Sequence, residues 1–192
     1  RTFGATWRSG KPTLTLWAPT AQDVVALVWL RGDTAVPPLR VPMVRATDGS
    51  WTVQGARAWK NAAYRYEVTV YAPSTDAVEV NEVTDPSSVA LTLNSTHSVL
   101  VDLDDRALAP RQWQWARQPV VAPVDQTIYE LHVRDFSISD VTVPEALRGT
   151  YLAFAERRSA GRQHLRELVE AGLTTVHLLP TFDIASIEED RS

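Results

Sequence analysis

Two carboxylates stand where a fold most readily builds chemistry. Asp135 follows the run TIYELHVR (127–134), and Asp183 follows TTVHLLPTF (174–182). Both runs mix apolar, β-branched and aromatic residues as strands do, and the first contains no Gly or Pro. If the two strands lie parallel, their C-terminal ends put both acids on one face, the face on which α/β barrels assemble catalytic groups. A carboxylate pair there can share acid–base or nucleophilic work. The plainer role is a strand-end cap or a partner for a neighbouring cation such as Arg134. Phe136 and Phe182 adjoin the two acids on that same side. Phe136 either lines a ligand subsite or packs under the loop that follows it. His132 and His177 sit inside the same runs among apolar neighbours, without the spacing of a metal-ligand set. They read as core histidines held by hydrogen bonds, whereas His97 and His164 read as exposed or half-exposed.

What must position these residues is a strand, a helix and a second strand, in that order. The helix is expected over 160–171, with Ser159 as N-cap, Leu165, Leu168 and Val169 on one face, and Gly172 ending it. A parallel pair joined by such a crossover is the unit of α/β sheets and barrels. Between Phe136 and the helix runs a long stretch, 137–158, with little periodicity of either kind. Loops of that length inside compact domains are commonly functional. One βαβ unit closes no α/β architecture, so residues 127–192 are expected to be the truncated start of a (β/α)8 TIM barrel.

Upstream, residues 1–103 show short alternating runs separated by turn signals, the pattern of an immunoglobulin-like antiparallel sandwich. The runs are 13–17, 24–30, 51–53 after the Asp48-Gly49 turn, 64–71, 78–83 and 99–103. The clearest is 64–71, where Tyr64, Tyr66, Val68 and Val70 alternate with Arg65, Glu67 and Thr69. A hairpin turn at 72–76 joins it to 78–83. Residues 104–126 carry Pro110, Pro119 and Pro123 together with Trp113 and Trp115, and they read as a linker packed by its two indoles. Trp7, Trp17, Trp29, Trp51 and Trp59 are the sandwich residues able to stack on a sugar, although most tryptophans on alternating strands are core anchors, and Trp29 and Trp51 have the most buried pattern.

Composition narrows the remaining choices. Among 192 residues 44% are hydrophobic and 22% charged, which fits a globular chain. The net charge of −4, with scattered Lys and Arg, gives no case for nucleic acid. The absence of Cys removes disulfides, a thiol nucleophile and Cys-based zinc sites. There is no long apolar run to cross a membrane, no metal set, and no cofactor motif.

Several stretches resemble a known family. YELHVRDFS (129–137), RGTYLAF (148–154) and GLTTVHLLPTFDIAS (172–186) are similar to the start of the catalytic barrel in type I pullulanases and limit dextrinases, of glycoside hydrolase family 13, the α-amylase family. LWAPTA (16–21), YRYEVTVYAPST (64–75) and EVTDP (82–86) resemble the carbohydrate-binding module family 48 domain that precedes that barrel. The resemblance implies a debranching hydrolase acting on α-1,6-glucosidic linkages of α-glucan, whether pullulan, amylopectin or limit dextrin, with retention of configuration. It also implies that the catalytic acids belong to later barrel strands. No residue here inherits their roles, so this segment alone is expected to be inactive, with Asp135, Phe136, Phe182 and Asp183 on the substrate side of the barrel. Calcium is compatible with the full-length family. The competing expectation is a stand-alone α-glucan-binding or structural module with a vestigial barrel segment.

Overall fold

The computed structural model describes residues 2–181, 188 and 190. The chain divides into two compact units, Arg1–Trp113 and Gln114–Ile184.

The first unit is a sandwich of two sheets. Strands β1 (Gly4–Arg8), β2 (Lys11–Trp17), β5 (Val44–Arg45) and β6 (Ser50–Gln54) form one, in the order β1-β2-β6-β5. Strands β3 (Ala21–Trp29), β4 (Leu39–Pro42), β7 (Ala63–Ala72) and β8 (Ala77–Val83) form the other, in the order β4-β3-β7-β8, with the short β9 (Ser98–Val99) also on β7. All pairs within the two sheets are antiparallel. Alternation decides what lies between them: Leu14, Leu16 and Trp51 from one sheet meet Val24, Ala26, Val28, Tyr64 and Tyr66 from the other in a single buried cluster. Trp29 and Trp51 are buried as their pattern predicts, and Trp59 joins them. The 64–71 and 78–83 runs form the expected hairpin, β7 with β8. Gly49 closes the expected turn at φ +82°, with the Asp48 carboxylate accepting from the Ser50 N–H at 3.0 Å. The last sandwich run is shorter than predicted: β9 ends at Val99, and Leu103 is exposed.

Residues 104–126, expected as a packed linker, straddle the boundary between the two units. Trp113 and Trp115 are 66% and 71% exposed, on a single 3-10 turn. The three prolines remove ladder donors, so the stretch joins no sheet that could seat the indoles.

The second unit holds a parallel pair, β10 (Ile128–Leu131) and β11 (Thr175–Leu178), joined through α1 (Ala160–Glu170). Strand and helix types agree with the sequence, but the first strand is half the predicted length. Beyond His132 the chain coils, as the His132 carbonyl accepts the Phe136 N–H at 3.0 Å and the Arg134 carbonyl accepts those of Ser137 and Ile138 at 3.3 and 3.0 Å. Nor is the strand buried. Tyr129 and Leu131 share a face with Val176 and Leu178; α1 touches it where the Tyr129 and His164 rings meet at 5.8 Å, and Leu131 is buried while Val176 and Leu178 stay exposed. Ile128, Glu130, Thr175 and His177 share the opposite face, and Ile128 is exposed there.

The start of this pair is tied by a reciprocal clasp. The Thr174 hydroxyl accepts the Thr127 N–H at 3.0 Å and donates to the Thr127 carbonyl at 3.1 Å. The Thr127 hydroxyl accepts the Thr174 N–H at 3.0 Å and donates to the Gly172 carbonyl at 2.6 Å. α1 stops just before it: Gly172 adopts φ +105°, and its N–H and that of Leu173 return to the carbonyls of Val169 and Leu168.

Candidate functional site

Asp135 lies four residues past the end of β10, in the coil rather than at the strand tip. Its carboxylate is 3.7 Å from His132 Nδ1 and 3.7 Å from Arg134 Nη1, and it is exposed. This is the cation-partner arrangement that the Arg134 neighbour suggested. Phe136 is half-buried and stacks on Phe154, with ring centroids 4.2 Å apart and planes 4° from parallel. α1 enters against that ring: a Cβ on Gly161 would stand 2.8 Å from Phe136 Cζ. Phe136 therefore packs against the 137–158 stretch and the helix that follows it. Phe182 and Asp183 lie outside the described residues.

The core reading of His132 and His177 is overturned. Their side chains are 45% and 64% exposed, because they follow the uncovered face of the two-stranded sheet. His177 Nδ1 stands 3.2 Å from Glu130 Oε2, its direct cross-strand partner. Among the described residues no group of three or more His, Asp or Glu is placed to hold a metal ion.

The 137–158 stretch has an order that its sequence hid. It contains two short 3-10 helices, Glu145–Leu147 and Tyr151–Ala155. The Gly149 N–H donates to the buried Ser137 hydroxyl at 2.9 Å, and Arg148 Nε donates to the Val143 carbonyl at 2.9 Å. Its main attachment is to the start of α1. The Ala160 N–H donates to the Thr142 hydroxyl at 2.8 Å, the Gly161 N–H to Asp140 Oδ2 at 3.1 Å, and the Arg162 N–H to the Ser159 hydroxyl at 3.2 Å. Ser159 caps as predicted, but three side chains share the work. The signal available in the sequence was Asp140-Val141-Thr142, an Asx turn in which Asp140 accepts the Thr142 N–H at 2.9 Å.

This cap predicts an acid-sensitive helix. The Thr142 hydroxyl and the Gly161 N–H hold the Asp140 carboxyl below its ordinary value. A lowered folded-state value means that the stabilisation is complete above the ordinary carboxylate range and is lost as pH falls through the folded value. Acid titration of helical circular dichroism should show this loss, and Asp140→Asn should remove that limb. An unchanged acid limb in the variant would refute the assignment.

On the sandwich, alternation separates five tryptophans. Trp29, Trp51 and Trp59 are buried, and the half-buried Trp7 donates its indole N–H to the Val101 carbonyl at 2.9 Å. Trp17, on the opposite pleat from Leu14 and Leu16, is 60% exposed and registers with Ser50 beside the pairs Thr15 with Thr52 and Thr13 with Gln54. The other polar centre is buried and was missed. Asp85, 4% exposed, accepts from the hydroxyls of Tyr64 at 2.8 Å and Tyr66 at 3.0 Å on one oxygen, and from the Ser87 N–H at 2.8 Å on the other. Its own N–H donates to the buried Ser98 hydroxyl at 2.9 Å. Burial, reinforced by the Asp85 charge, pushes both phenols well above their ordinary value.

The two-sheet sandwich with this core matches an established family model, carbohydrate-binding module 48 (isoamylase N-terminal domain), over residues 2–88. Residues 2–88 are thus similar to carbohydrate-binding module 48 domains, and the sandwich is of the immunoglobulin-like kind. The whole chain, both units included, is similar to pullulanases. It is 40% identical over 97% of its length to 17% of the pullulanase of Klebsiella aerogenes, and 39% identical over 98% of its length to 20% of the chloroplastic pullulanase 1 of Arabidopsis thaliana. The crystal structure of Klebsiella pneumoniae pullulanase complexed with maltotriose superposes with a TM-score of 0.90 at 39% identity, covering 98% of this chain and 18% of that one. The chain thus spans about a fifth of the length of these relatives.

Proposed function

We propose that this chain is the sandwich-bearing segment of a pullulanase-type debranching glycoside hydrolase that cleaves α-1,6 linkages in pullulan, amylopectin or limit dextrins. The observation that carries this reading is identity near 40% to pullulanases over 97% of the chain, across both units. In this reading residues 1–103 are the glucan-associated module, 104–126 the linker, and 127–192 the first βαβ unit of a (β/α)8 barrel. The parallel register of β10 and β11 supports the last assignment, because that pair with its crossover helix is the repeating unit of such barrels. A retaining mechanism requires two carboxyl groups roughly 5–5.5 Å apart, one attacking the anomeric carbon and one protonating the leaving oxygen. Asp135 faces a histidine and an arginine instead, which supports a role other than one of that pair; in this reading it lies on the substrate side, and the catalytic pair belongs to the part of the relatives that this chain does not span.

A second reading, glucan binding by the sandwich itself, is favoured by Trp17. An exposed indole on the strand pair that also carries the half-buried Thr13 and Thr52 and the exposed Gln54 offers a stacking face with hydroxyl and amide partners nearby. Pullulan hydrolysis, measured on this chain and on the reading frame extended through a full barrel, separates the readings. Hydrolysis by the extended form alone supports the debranching enzyme, and hydrolysis by this chain overturns the assignment of the acids. Retardation of the chain in amylopectin gels, lost in Trp17→Ala, supports the second reading, and equal retardation of both removes it.

A further inference from the structure

A cavity of about 280 Å3 opens in the second unit between residues 157–159 and the outer side of α1. One part of its wall is Arg157, Arg158 and Arg166. Gln163, Glu167 and Glu170 continue it along one helix face, with Arg166 among them at the spacing of neighbouring turns. Among the described residues no hydrogen bond or ion pair engages any of the three guanidinium groups. Glu167 accepts from Gln163 Nε2 at 3.1 Å through one oxygen, which leaves the other oxygen open to a further donor.

Three guanidinium groups against two carboxylates, Glu167 and Glu170, leave the cavity wall with an excess of positive charge, and the fork of a guanidinium matches phosphate oxygens in pairs. The other wall has the opposite preference, since carboxylates and an amide accept from hydroxyls and repel a second anion. No aromatic or large apolar side chain lines the space, so neither a nucleobase nor an unsubstituted glucan finds a stacking face there. An acidic peptide would set its carboxylates against Glu167 and Glu170. The volume lies at the small end of ligand sites, the scale of a single substituted sugar ring.

We propose that this cavity binds a phosphorylated sugar, its phosphoryl group against Arg157, Arg158 and Arg166 and its hydroxyls against Gln163, Glu167 and Glu170. The same chemistry is offered by a free hexose phosphate and by a phosphate ester carried on a glucan chain. Occupancy of this site does not depend on hydrolysis.

Calorimetric titration of the full chain with glucose 6-phosphate, inorganic phosphate and glucose tests the proposal. Glucose 6-phosphate should bind about tenfold or more tightly than inorganic phosphate, and glucose should not bind detectably. The double variant Arg157→Gln/Arg166→Gln should weaken the sugar phosphate at least tenfold, and Glu170→Gln should narrow its preference over inorganic phosphate. These positions are exposed, so a melting curve matching the parent protein shows that the variants remain folded. Equal affinity for the two phosphates, or binding unaltered in the double arginine variant, overturns the proposal. Competition by a phosphorylated maltooligosaccharide at lower concentration than glucose 6-phosphate assigns the site to the polymer, and weaker competition assigns it to the free metabolite class.

Discussion

Asp85→Ala is expected to remove about 3–5 kcal/mol from the sandwich, a large share of the stability of a domain this size. The cost follows from what remains behind. Two phenol hydroxyls on β7, both buried, lose the single oxygen they share, and each unsatisfied donor costs about 1–3 kcal/mol. The Ser87 N–H loses its acceptor as well. Asp85→Asn keeps a carbonyl oxygen in the same place and should cost much less. A double-mutant cycle isolates the effect: Tyr64→Phe should destabilise the parent protein and cost clearly less in the Asp85→Ala background, where its hydroxyl has already lost the Asp85 oxygen and keeps only the Ser88 and Ser98 side chains. Denaturant unfolding followed by tryptophan fluorescence measures all four proteins. A single-variant loss below about 1 kcal/mol would sink the account. The same cluster sets the alkaline limit. Both phenols have raised folded-state values, so the unfolded chain gives up its protons first, and stability is complete below about pH 10 and lost as pH rises beyond it.

Gly55→Ala should cost about 3 kcal/mol by overpacking, without any loss of a polar contact. A Cβ at that position would lie 2.4 Å from Trp59 Cε3 and 2.6 Å from Cδ2, with Pro12 Cγ at 3.0 Å on the other side. The indole is buried, so it cannot swing clear, and the Gly55 N–H is fixed to the Pro12 carbonyl at 2.8 Å. Gly32→Ala is the matched comparison. Its Cβ would meet nothing within 4 Å, and only the left-handed φ of +71° opposes it, a strain of about 1–2 kcal/mol. Thermal melts that rank the two variants the other way round would show that the Trp59 contact yields easily.

The parts of the fold legible in the sequence are those that a local pattern fully specifies. The Tyr64–Val70 alternation, the Asp48-Gly49 turn, the helix behind Ser159 and the apolar run at 175–178 each carry their own signal. Strands β1, β4 and β5 were not predicted: β1 opens on a glycine at positive φ, and β4 and β5 are short and broken by Pro42. The 127–137 strand was overextended because Val133 and Phe136 suit a strand as well as a coil, and hydrogen bonds to the His132 and Arg134 carbonyls decide between them. Burial of His132 and His177 was misjudged for a related reason, since periodicity shows which residues share a face and not whether anything covers it. The candidate site follows the same division. Asp135 beside Arg134 was readable from adjacency, whereas Asp140 and Thr142 reach α1 across about twenty residues, and Asp85 meets Tyr64 and Tyr66 from another segment.

The threonine clasp at the start of β10 and β11 bears on timing. Its bonds join positions 45 or 47 apart in sequence, and closing a loop of that length costs about 3.4 kcal/mol in chain entropy beyond a constant. Its four hydrogen bonds return about 1 kcal/mol each, so formation of the closed loop is close to an even exchange. A nascent chain can therefore close and reopen this loop repeatedly after Thr174 has emerged, and burial of the exposed Val176 and Leu178 by further chain would hold the register of the parallel pair.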